Sequence, residues 1–154
     1  MLFRSAAPST GSYTVIVGTA DAGYDATGSY RITVAHAPDS ILIVPAGDQG
    51  GPMTNVVNHM GSIPIADLDQ WTLSATQGST ITLTITEVAG SADYTPWIRL
   101  VAPNGAIIGN SWGVSGAQIT VAAPSTGKYT VIVSTADAGY DATGDYRLTV
   151  TGAN

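Results

Sequence analysis

The sequence predicts an all-β protein, an antiparallel β-sandwich carried in tandem repeat, and three observations point there. Apolar and polar residues alternate with period two in run after run, the mark of half-buried strands. Gly- and Pro-rich turns separate the runs, and no ten-residue stretch carries a helical period. Residues 7–34 (APSTGSYTVIVGTADAGYDATGSYRITV) recur at 123–150 (APSTGKYTVIVSTADAGYDATGDYRLTV), with 24 of 28 positions identical. The repeat sets a folding unit of about 116 residues, so the chain holds the end of one unit and then one whole unit.

Eight strands are expected in the whole unit, near 60–65, 69–75, 80–88, 97–102, 106–109, 117–122, 128–134 and 144–150. In 69–75, Trp71, Leu73 and Ala75 alternate with Thr72 and Ser74. In 80–88, Ile81, Leu83 and Ile85 share one face and threonines the other. Ile98 and Leu100 oppose Trp97, Arg99 and Val101. Pro103-Asn104-Gly105 turns the chain, because Asn-Gly readily takes positive φ. Tyr129, Val131 and Val133, then Tyr146, Leu148 and Val150, give the last two apolar faces. Trp71, Tyr129 and Tyr146 fall on those faces and are expected in the core.

The domain boundaries follow. Residues 1–34 are the C-terminal half of a preceding repeat, 35–52 a linker whose apolar patch Ile41–Val44 packs on a neighbouring unit or adds an edge strand, and 53–154 a complete sandwich. The half repeat supplies only two strands. Tyr13, Val15, Val17, Tyr30, Ile32 and Val34 would then turn an apolar face to water. Burying six such side chains is worth roughly 10 kcal/mol as an upper figure. That is comparable to the whole stability of a domain. The expected partners are therefore neighbouring copies of the same repeat, within one chain or between chains.

Composition narrows function. The chain has 154 residues, 44% hydrophobic and 10% charged, with net charge −6. An acidic surface argues against nucleic acid and anionic membranes. No apolar run approaches the ~18 residues of a membrane span. The absence of cysteine removes disulfides, thiol catalysis and Cys-based zinc sites. A Thr-, Gly- and Asp-rich surface with a single lysine suits an exported bacterial protein. The opening MLFRSAAPST has no apolar core and does not read as a signal peptide.

The unit 48–150 resembles the bacterial pre-peptidase C-terminal domain family. The residues that carry this are Asp67-Leu-Asp-Gln-Trp-Thr-Leu73, Thr80–Ile85, Ile98–Gly105, Ala123–Val133 and Gly144–Val150. The resemblance implies a jelly-roll-like sandwich and a non-catalytic module of secreted hydrolases or surface proteins. It also implies that some relatives bind calcium or a matrix protein such as collagen. No peptidase domain accompanies the unit here.

The candidate sites are few. Asp137, Asp141 and Asp145 put three carboxylates in one glycine-containing loop, and calcium favours such hard oxygens. The first copy keeps Asp21 and Asp25 and has Ser29 in the third place. Turn formation explains these aspartates as well. Asp67 and Asp69, two apart before a strand, are a second calcium candidate. Trp112, Tyr94, Tyr24 and Tyr140 lie in loop-like segments and are the candidates for contact with carbohydrate or matrix protein. Gly109-Asn-Ser-Trp-Gly113 fits the G-x-S-x-G elbow, but no helix signal follows Ser111. His36 and His59 lack metal-ligand spacing, and Glu87 has no evident acidic partner. The sequence thus reads as a non-enzymatic structural or adhesive module of a secreted or cell-surface protein, assembling head-to-tail into a fibre by strand complementation between chains. The alternative is a binding module for carbohydrate or matrix, with calcium as the one cofactor in view.

Overall fold

A computed structural model describes residues 48–65, 67–139 and 141–154, with Ser9, Gly11, Val15, Val17, 27–30 and Ile32 besides. The chain divides into two compact units, Met1–Ile32 and Thr33–Asn154. The described part of the second is a nine-stranded sandwich. Its strands are β1 (Gly50–Pro52), β2 (His59–Ile63), β3 (Asp69–Ala75), β4 (Thr80–Gly90), β5 (Pro96–Val101), β6 (Ile107–Trp112), β7 (Gly116–Ala122), β8 (Gly127–Thr135) and β9 (Gly144–Thr151). One sheet runs β1-β3-β8-β5-β6 and the other β2-β9-β4-β7. All pairings are antiparallel except β1 with β3, which is parallel.

All eight expected strands form, because the alternation that marks them is the alternation that fills the core. Ile81, Leu83 and Ile85 from β4 meet Ile98 and Leu100 from β5, and all five are fully buried. The strand expected at 106–109 runs instead from Ile107 to Trp112. Gly109 allows this close-packed path, since a Cβ there would strike Ile119 of the facing sheet. The last three residues of the expected linker are β1, seated beside Gln70–Thr72 of β3. The patch Ile41–Val44 lies outside the described residues.

β8 and β9 hold the central places. β8 lies between β3 and β5, and β9 lies between β2 and β4. Tyr129, Val131, Val133, Tyr146, Leu148 and Val150 are all 0% exposed. Their positions 116 residues earlier are a contrast. Val15, Val17, Tyr30 and Ile32 are 64%, 47%, 70% and 51% exposed. The same or nearly the same side chains are buried in β8 and β9 and exposed at these four upstream positions.

The chain end is fastened too. Gly152 turns at φ 81, where a side chain would meet the Thr80 carbonyl. The Asn55 amide then brackets Ala153, accepting from its N–H at 3.0 Å and donating to its carbonyl. The Asn154 N–H donates to the Ser74 carbonyl at 2.8 Å.

Candidate functional site

Period two places Asp69 on the core face of β3 with Trp71 and Leu73, and Asp69 is 0% exposed. A carboxyl at that depth needs polar company. The Trp71 Nε1–H donates to the Tyr146 hydroxyl at 2.8 Å, and that hydroxyl donates to Asp69 Oδ2 at 2.5 Å. The His59 ring meets Trp71 edge to face at 5.1 Å. Parallel pairing of β1 with β3 carries Asp48 to the same end, and Asp67 sits in the turn before β3. One carboxylate oxygen from each of Asp48, Asp67 and Asp69 lies within 4.8 Å of the others.

Burial first, and then the neighbouring Asp48 and Asp67, push the Asp69 carboxyl from its ordinary 3.8 up to about 8; the Tyr146 hydrogen bond opposes the shift. Burial also raises Tyr94 and Tyr146, and the charge of Asp69 adds to both. Asp69 Oδ1 and the Tyr94 hydroxyl are buried without a hydrogen-bond partner among the described residues. Three carboxyl groups, one of them with an unsatisfied buried oxygen, are the kind of oxygen ligands that hard cations take. Asp67 and Asp69 were legible from their spacing. Asp48 was not, because only the β1–β3 pairing brings it there.

The loop carboxylates Asp137 and Asp145 are held by different partners. Asp137 folds back on its own turn: Oδ1 accepts from the Thr135 hydroxyl at 2.7 Å and Oδ2 from the Asp141 N–H at 3.0 Å. Asp145 belongs to β9, faces outward, and accepts from the Ser62 hydroxyl of β2 at 2.6 Å. These bonds are those of a self-bonded turn and a cross-strand pair, the turn-forming role open to these aspartates alongside calcium. Asp21, Asp25, Tyr24 and Tyr140 lie outside the described residues.

Tyr94 is also corrected, from exposed contact to core, at 1% exposure. Gly90 and Gly144 face each other across β4 and β9, and a Cβ on either would enter its ring. Two glycines leave the slot that the tyrosine fills. Trp112 is 62% exposed, at the end of edge strand β6. Its cross-strand partner is Trp97, which sequence reasoning did not single out. The Trp97 Nε1–H donates to Asn110 Oδ1 at 2.6 Å, and the Arg99 guanidinium carbon lies 3.2 Å from the ring centroid. Ser111 is the next-to-last residue of β6, and a turn into strand β7 follows where the elbow needs a helix.

No protein-family model and no curated protein matches the chain. Solved structures do. The pre-peptidase C-terminal domain of a Bacillus anthracis collagenase aligns with TM-score 0.54 and 17% identity, over 68% of this chain and 96% of that one. A surface-associated copper-binding protein of Methylomicrobium album BG8, CorA, aligns with TM-score 0.55 and 9% identity, over 68% and 98%. PliG of Aeromonas hydrophila, a periplasmic inhibitor of g-type lysozyme, aligns with TM-score 0.50 and 22% identity, over 66% and 96%. The described sandwich therefore shares the β-sandwich fold of a pre-peptidase C-terminal domain.

Proposed function

We propose that the chain is part of a non-catalytic structural array of a secreted or cell-surface bacterial protein. The carrying observation is the pair of closing segments, one buried as β8–β9 and the other with Val15, Val17, Tyr30 and Ile32 exposed. A repeat closed by its last two strands makes a unit that can be strung head to tail on short linkers. Copies of this sequence carry two closing segments for each strand set that accepts one. Exchange between identical chains thus trades one exposed segment for another and leaves the count unchanged. The favoured occupant of 7–34 is the strand set of an adjoining repeat in a longer array, and fibres arise from that array. The fold neighbours, one periplasmic and one surface-associated by description, support an exported location. Electron microscopy and light scattering test the reading on a chain of several repeats. Rods lengthening in proportion to repeat number support it, and collapsed or irregular particles overturn it.

A second reading, a binding module, is favoured by the outward Trp97–Trp112 pair and by the Asp48, Asp67 and Asp69 cluster. Calcium at that cluster would tie β1 to β3 while the tryptophans meet carbohydrate or matrix. Calorimetric titration with calcium chloride, then a glycan and matrix-protein array with and without chelator, tests it. Heat on titration together with chelator-sensitive binding supports this reading, and silence in both removes it.

A further inference from the structure

The slot that β8 and β9 fill is defined position by position, and the upstream copy can be fitted to it. The six buried side chains correspond to Tyr13, Val15, Val17, Tyr30, Ile32 and Val34, a single Leu-to-Ile exchange. The demanding glycines are kept. Gly127, at φ 156 against Pro103, corresponds to Gly11, and Gly144, against Tyr94, corresponds to Gly28. The other three differences fall where the slot is tolerant. Lys128 is exposed opposite Ser74 and becomes Ser12. Ser134 is half-buried opposite Trp97 and becomes Gly18. Asp145 is exposed on Ser62 and becomes Ser29.

Connectivity permits the exchange within one chain. The end of β9 runs on through Asn154 to Ser74, and Gly50 of β1 pairs with Gln70. Those points lie four residues apart on β3, ~13 Å. Pro38 corresponds to Asn154, and the twelve residues from Pro38 to Gly50 span up to ~40 Å when extended.

We infer that the strand set β1–β7 accepts either closing segment, so that residues 7–34 compete with residues 123–150 for the centre of both sheets. The inference rests on the repeat reading and adds exchange to it. The native frame is the major one for two reasons. Gly18 weakens a strand that Ser134 supports. Residues 35–38 (AHAP) also lack the Gly152 turn and the Asn154 tie of 151–154 (TGAN).

The experiment uses the full chain, which has no cysteine of its own. Ser74 and Lys128 are exposed cross-strand partners. S74C/K128C is the control that a disulfide closes in the native frame, and S74C/S12C reports the exchanged frame. Val131→Asp buries a lone carboxylate in the native segment and drives the equilibrium over. The expected result is an S74C/S12C disulfide that is scarce in the otherwise unaltered chain and becomes the main species with V131D. Adding V15D abolishes it. No increase in that disulfide on V131D, whether the chain stays folded or not, overturns exchange. The repeat reading then stands or falls separately, on whether a strand set joined ahead of residue 7 protects 7–34.

Discussion

Asp69 is a carboxyl that holds its proton more tightly folded than unfolded. Its folded value is about 8 against 3.8, so the folded state binds more protons between those limits. Stability must therefore fall as pH rises from about 4 to about 8 and level off above, by up to ~1.4 kcal/mol per pH unit from this group alone. Asp69→Asn keeps an acceptor for the Tyr146 hydroxyl and removes the titration. Thermal melts of D69N should be flatter with pH over that window, and more stable than the parent at pH 8. A parent whose melting temperature climbs from pH 5 to pH 8 would refute the assignment. Val56 offers a second check: it is the described non-glycine residue with positive φ, at 62, and is exposed. A β-branched residue is strained there, whereas Asn tolerates it. Val56→Asn should raise unfolding stability by about 0.5–1 kcal/mol in urea.

At the level of strands, the alternation of β3, β4, β8 and β9 was legible because each shows one face to the core and one to solvent. β1 was not, since Gly-Gly-Pro has no alternation and its pairing is parallel and non-local. The acidic cluster was half legible for the same reason, with Asp67 and Asp69 on view and Asp48 hidden. Tyr94 looked like a loop residue because its slot is made by glycines at the ends of two distant strands. That slot is testable. Gly144→Ala forces the Tyr94 ring to move and should cost about 1–3 kcal/mol of stability. In a Tyr94→Leu background the same change should cost much less, since the ring it strikes is gone. Equal costs in both backgrounds would show that the glycine is needed for something else.

Over the whole molecule, the repeat could be read at once, because 24 of 28 identities need no structure to recognise. What the repeat means physically needed the fold. Residues 123–150 supply an interior strand to each sheet, so each of these strands needs a neighbour on both sides. Hydrogen exchange can weigh this in a chain where residues 48–122 are joined ahead of residue 7, giving two complete repeats. The account predicts that amides of 7–34, fast-exchanging in the present chain, become as protected as those of 123–150. Protection in 7–34 that is unchanged by the added strands would contradict it.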